Sequence, residues 1–296
     1  KGRQFMEPSQ AVIPAAELQS IAEDHRRGSV LQAWERGRRY GRLQDWGGTE
    51  ARVLAGRLAR SLGAPRLGRA LHVCASRRDP QDPRAAYYRA SAVWDRLGPL
   101  AAARFLRALG DPTGATPGLR ADLFALRARI AAVFRDGETA EAELARAVSL
   151  APERAWVWIE RAYALEDLDR MDDAWAAARR ALELRPGYLP GLFAAAFLLR
   201  ALGRTPEALS LLEDAGAHHQ GMPIALRLAM LYLELERGED ADLALDRTEA
   251  HAPLLEPLPA VVRRPGLHHQ HLGEPQARLE LGTLRHPLAP DVLQRL

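Results

Sequence analysis

The sequence predicts an all-α protein built as a solenoid of helical hairpins, on three observations. Ala, Leu and Arg, all strong helix formers, dominate the chain, and runs rich in Val, Ile, Thr and aromatic residues are missing. Small residues return at a spacing of 34: Ala140, Ala174 and Ala208; Ala128, Ala162 and Ala196; Ala147, Ala181 and Ala215. A Leu-Gly pair followed by a helix-like run appears at 62–63, 97–98, 202–203 and 272–273. A fixed period of this length is the signature of stacked helical hairpins.

The elements follow in order. Residues 1–14 are short and polar and read as an extension. A degenerate unit at 15–47 keeps Gly28 and Ala33 in phase. Clearer units lie near 49–82, 83–116, 121–154, 155–188, 189–221 and 222–255. The stretch "DPTGATPG" at 111–118 loosens the exit of the second of these. Residues 256–296 hold many prolines and histidines; Pro265 would break another first helix, while "LGEPQARLELGTL" at 272–284 still reads as a turn and second helix. That tail is expected to be a half-repeat covering the last apolar face, since nothing stacks on a terminal unit.

Places counted from the first residue of each unit explain the residue types. Small residues at places 8 and 20 let the two helices of a hairpin approach closely. An alanine at place 27 leaves room for the next unit. Larger residues fill places 4, 11 and 24: Phe124, Trp158 and Leu192; Leu165 and Leu199; Leu144 and Leu212. Glycine of the Leu-Gly pair caps the first helix in the left-handed conformation. Proline suits the start of the second helix, and Pro152 and Pro186 close two units.

This pattern resembles the tetratricopeptide repeat (TPR) family. It is carried by Trp158, Ala162, Leu165, Ala174, Ala178, Ala181 and Pro186 in one unit, and by Leu192, Ala196, Leu199, Leu202-Gly203, Ala208, Leu212 and Ala215 in the next. The resemblance covers roughly four-fifths of the chain. It implies a right-handed superhelical solenoid of about six to seven hairpins. The departures are Arg127 and Arg161 at place 7, usually large and apolar in the family, and Ala and Leu where the family favours tyrosine. "EARVLAGRLARSLGAPRLGRALH" with "RRDPQDPRAAYYRA" also resembles the repeat region of bacterial proteins that carry a C39-like peptidase domain; no catalytic Cys follows the array, so no peptidase activity is inferred.

In that family places 2, 5, 9, 12 and 13 of the first helix face a concave groove. Carried over, they give Arg57 and Arg60, then Tyr87 and Trp94, then Arg129. The next units give Trp156, Ile159, Tyr163 and Glu166, then Phe193, Phe197 and Arg200, then Leu226, Met230 and Leu233. The resemblance thus implies an apolar groove with arginine at its margins, suited to a protein or peptide partner. The bland alternative is that several of these rings pack against the neighbouring helix. Carboxylate-clamp recognition of chaperone C-termini is not expected, because Lys1 is the sole lysine and the chain has no asparagine.

Other chemistry is not signalled. Cys74 is the single cysteine, which precludes an internal disulfide and reads as a small buried hydrophobe. His268, His269 and His271 read as a polar loop, with a metal role left open. The carboxylates of "ALEDLDRMDD" at 164–173 occupy a turn and a helix start and lack a calcium-loop pattern. No phosphate loop, zinc-hydrolase helix or nucleophile elbow occurs, so no cofactor, metal or catalytic residue is expected, and the chain reads as a binding protein and not an enzyme. Net charge is +3 with no block of like charge, which makes nucleic acid an unlikely partner. No apolar run is long enough to span a bilayer, and no signal peptide is visible, although a start at Lys1 could follow from processing; the expected location is cytoplasmic. Two rival readings remain: the recruiting or regulatory arm of a larger enzyme, and an RNA-binding helical repeat with bases stacked on Tyr87, Trp94 and Trp156. The oligomeric state is left open.

Overall fold

A computed structural model describes residues 11–111, 114–218 and 222–249. The expected half-repeat at 256–296 and its histidines lie outside the described residues. The chain divides into two compact units, residues 1–218 and 219–296. The first holds α1 (Ala15–Arg26) to α12 (Thr205–His218), and the second holds α13 (Met222–Glu234) and α14 (Gly238–Glu249). Among the described residues the only β-type pairing is an isolated bridge between Ala11 and Trp46, and no helix is long and apolar enough to cross a membrane.

Consecutive helices pack as pairs. We call them hairpin 1 (α1 with α2, Val30–Gly37), hairpin 2 (α3, Thr49–Ser61, with α4, Pro65–Arg78) and hairpin 3 (α5, Pro83–Leu97, with α6, Pro99–Leu109). Hairpin 4 is α7 (Pro117–Val133) with α8 (Gly137–Leu150), and hairpin 5 is α9 (Ala155–Asp167) with α10 (Met171–Leu184). Hairpin 6 is α11 (Leu189–Ala201) with α12, and hairpin 7 is α13 with α14. The first helices α7, α9 and α11 also lie side by side, which stacks hairpins 4 to 6.

The periodic alanines do what their size predicts. Ala128, Ala162, Ala140, Ala174, Ala208, Ala147 and Ala181 have no exposed surface, and Ala196 and Ala215 are 4% and 8% exposed. Leu144, Leu165, Leu199 and Leu212 fill the space beside them. Six first helices end alike. The residue two beyond the last helical one has positive φ, as in Gly28 (87°) after α1, Gly63 (81°), Arg135 (62°), Asp169 (61°), Gly203 (74°) and Glu236 (59°). The following amide then reaches back five residues, as from Ala64 to the Ala59 carbonyl at 2.8 Å and from Arg170 to that of Leu165 at 2.9 Å. Those bonds satisfy carbonyls that a helix C-terminus leaves unpaired. Arg135 and Asp169 hold this conformation with a side chain, and their exposed charges pair at 2.5 Å.

Three expectations change. Residues 11–13 are not a mere appendage: Ala11 exchanges backbone hydrogen bonds with Asp45 and Gly47, and Ile13 is buried with Trp46 and Leu43 in the core that hairpins 1 and 2 share. Cys74 is half-buried, not buried. Arg127, the departure at place 7, reaches across to hairpin 3, donating to the Asp111 carboxylate at 2.8 Å and the Gly110 carbonyl at 2.5 Å. An apolar residue there could not close the loosened exit of hairpin 3.

Candidate functional site

The first helices carry two rows of side chains. The outer row joins four of them. Trp94 on α5 and Tyr163 on α9 flank the Arg129 guanidinium of α7, whose carbon lies 5.2 Å from the first ring centre and 4.6 Å from the second. Tyr163 then meets Phe197 of α11 with ring centres 6.4 Å apart. All four side chains are half-buried. A cation between two aromatic faces is held by both ring quadrupoles, which fixes the row without a backbone constraint. Beneath it the carboxylate of Glu160, only 3% exposed, sits 3.6 Å from the Arg129 guanidinium. Burial pushes the Glu160 carboxyl upward and Arg129 opposes the shift.

The inner row is closed by its own contacts. The Trp156 indole N–H donates to the Tyr87 hydroxyl at 3.0 Å, linking α9 to α5. Tyr87 is 6% exposed and packs on Leu123, Leu126 and Leu106. Burial, and then the Asp122 and Glu160 charges, drive its phenol well above the ordinary range. Asp122, 5% exposed, accepts two hydrogen bonds from Arg154, both at 2.6 Å. Burial raises the Asp122 carboxyl, and the Arg154 fork works against it.

The N-terminal hairpin completes this closure. His25 of α1 accepts from Arg57 through Nδ1 at 3.4 Å and reaches the Ser61 hydroxyl through Nε2 at 3.0 Å. A guanidinium can only donate, so Nδ1 carries no proton and the ring is neutral. Burial and then the Arg57 charge hold it so down to about pH 4. Arg57 also lies over the Tyr88 ring at 5.8 Å. Across 159 residues, Arg185 donates to the Arg26 carbonyl. Leu189 lies 3.4 Å from where a Cβ on Gly28 would stand, and Gly28 has a φ of +87°.

These contacts revise the groove expected from sequence. Ile159 has no exposed surface; it is core between α9, α10 and α11, packed with Ala181 and Ala194, and no partner can touch it. Tyr87 is buried likewise. Arg57 and Arg60 are half-buried and paired, the first with His25 and the second with Asp95, so neither stands as a free margin charge. Trp156, Phe193 and Arg200 are half-buried. Met230 of hairpin 7 is 41% exposed on α13, between Leu226 at 46% and Leu233 at 62%. The structure adds Asp122, Arg154, Glu160, Tyr88 and His25 to the contacts that hold these side chains, Asp122 and Glu160 as buried charges. Only Asp122 had a sequence signal: it stands at place 2, a groove place, as a lone charge in the apolar run "ADLFAL". No cluster of metal-ligating side chains occurs among the described residues.

No protein-family model and no curated protein matches the chain. Many solved structures resemble it, and two of them illustrate the likeness. One is a thermophilic TPR protein of Thermus thermophilus, at 23% sequence identity over 63% of this chain and 100% of that one, with a TM-score of 0.51. The other is a tetratricopeptide repeat protein of Parabacteroides merdae, at 13% identity over 79% of this chain and 91% of that one, with a TM-score of 0.48.

Proposed function

From the tetratricopeptide-repeat fold of this chain we propose that it is a protein-interaction scaffold that binds a partner polypeptide along the outer row of its first helices. One observation carries the reading. Trp94, Arg129, Tyr163 and Phe197 form a half-open row across four helices, already ordered by cation–π and ring contacts. Rigid aromatic side chains lose little entropy on contact, and Trp, Tyr and Arg dominate binding energy where interfaces are measured. The inner row is the wrong place to dock, because Tyr87 and Ile159 are closed off.

The RNA reading is weaker on the same grounds. Arg57, Arg60, Arg129 and Arg154 face His25, Asp95, Glu160 and Asp122, so these cations are engaged within the protein and not presented to phosphates. A cytoplasmic location is kept as part of the proposal.

The test is a peptide array probed with the full chain and with Phe197→Ala and Tyr163→Ala. Truncating a central aromatic anchor is expected to weaken binding by about 2 kcal/mol, some thirtyfold, while each variant keeps its helical content. Identical peptide profiles for the wild type and both variants would remove the outer row as the docking site.

A further inference from the structure

We propose that the outer row takes a basic segment of the partner: an arginine or lysine against the Glu166 and Asp167 carboxylates, with a neighbouring apolar side chain over Tyr163 and Phe197. This rests on the scaffold reading above and specifies the partner's chemistry. Tyr163, Glu166 and Asp167 stand at i, i+3 and i+4 of α9, so they share one helix face, and all three are half-buried.

The charge balance of this face favours a cation. The charged groups that act on Glu166 are Asp167, Arg129, Asp169 and Arg135, and those acting on Asp167 are Arg129 and Arg135. Both cations are engaged elsewhere. Arg135 pairs with Asp169 at 2.5 Å, and Arg129 has Glu160 beneath it at 3.6 Å. Two carboxylates are therefore left without a cation of their own. Glu160 repeats the imbalance below the surface, where its Oε2 is buried without a hydrogen bond. A carboxylate pair beside two aromatic rings suits a cation with an apolar stem or neighbour, and repels an acidic segment.

Binding of this kind must release a proton. Burial, and then the Asp167 charge, hold the Glu166 carboxyl up at about 7. A docked cation favours the ionised form, so the site binds more tightly as pH rises and levels off above about 8. If docking returns Glu166 to the ordinary carboxylate range, affinity gains about tenfold between pH 6 and pH 8. Arginine and lysine do not titrate in that window, so the pH dependence belongs to the protein.

The experiment uses the full chain and two end-capped probe peptides, one alternating leucine with arginine and one alternating leucine with glutamate. Both are titrated at pH 8 and pH 6 against the wild type, Glu166→Gln, Asp167→Asn and Phe197→Ala. The arginine probe is expected to bind more tightly than the glutamate probe, to lose about tenfold at pH 6, and to lose that pH dependence in Glu166→Gln. Equal binding of both probes, or an unaltered pH dependence in Glu166→Gln, overturns the proposal. If Phe197→Ala weakens both probes alike, the scaffold reading survives and the charge selection does not. Binding of neither probe overturns the charge selection as well, and the array then decides the scaffold reading alone.

Discussion

Hairpins 2 and 5 fill the same places of the repeat with opposite residue types. At places 8, 15 and 20, hairpin 2 has Gly56, Gly63 and Gly68, where hairpin 5 has Ala162, Asp169 and Ala174. In hairpin 5 the two alanines form the crossing and are fully buried. In hairpin 2 even a methyl group is too large. A Cβ on Gly68 would stand 2.7 Å from the Gly56 carbonyl oxygen, and one on Gly56 would stand 2.2 Å from the His72 ring. The two backbones meet directly, and the ring of place 24 lies over the glycine. The period therefore specifies a limit on size and not a residue. How far below that limit a hairpin sits depends on what its place 24 must hold.

Gly68→Ala should break hairpin 2. The clash is with backbone as well as with the Arg60 stem, so it cannot be relieved by a rotamer change alone. A loss of about 3 kcal/mol is expected in urea unfolding. The mirror change in hairpin 5, Ala174→Gly, should cost only about 1 kcal/mol. Equal losses in the two hairpins would show that both crossings have the same clearance.

His72 sharpens the same contrast. It is 1% exposed, and burial, with Arg60 next, holds its ring neutral down to about pH 4. Neither ring nitrogen makes a hydrogen bond of normal geometry. A histidine depressed in the fold gives stability that is fully present above its unfolded value near 6.5 and is lost as pH falls toward 4. Between pH 7.5 and pH 5 the loss is about 2 kcal/mol. His25, also depressed to about 4, adds in the same direction. Glu166 runs the other way, because its raised carboxyl gives stability that is lost as pH rises from about 4.5 to 7. Comparing the wild type with His72→Gln isolates the histidine: the variant should lose about 2 kcal/mol less on going to pH 5. The same pH slope in both proteins would mean that His72 does not titrate there.

This contrast also marks what the sequence could disclose. The alanines of hairpins 4 to 6 were legible because the need for small volume recurs at each crossing and is written at a fixed spacing. The Leu-Gly turns at 62–63 and 202–203 were legible for the same reason. Arg135 and Asp169 were not: they take the left-handed conformation at that place without the glycine that would announce it. The outer row was legible as Trp94, Arg129, Tyr163 and Phe197, since groove places carry over by counting. The burial of Tyr87 and Ile159 was not, because it depends on how closely successive hairpins curl together. The Asp122–Arg154 pair joins residues 32 positions apart, and only the folded stack brings that carboxylate to its arginine.

The smallest effect tests the turn that hairpins 2 and 5 share. Asp169 and Arg135 accept positive φ at 61° and 62°, where Gly63 sits at 81° without strain. An L-residue there costs about 1–2 kcal/mol, less for Asp, whose short side chain tolerates the conformation. Against the relief stand the ion pair, worth about 0–1 kcal/mol because both partners are more than half exposed, and the extra freedom of glycine in the unfolded chain. Asp169→Gly should then raise stability by about 0.5 kcal/mol or leave it level, and Arg135→Gly should gain more, about 1 kcal/mol. Each single change forfeits the whole ion pair, and the double variant forfeits it only once. The double variant should therefore gain more than the two singles added together, by the worth of the pair. Thermal unfolding of the three variants separates the pair from the strain. If both single changes lower stability, the turn is held by the side chains that occupy it, and hairpin 5 ends its first helix by a different balance of forces from hairpin 2.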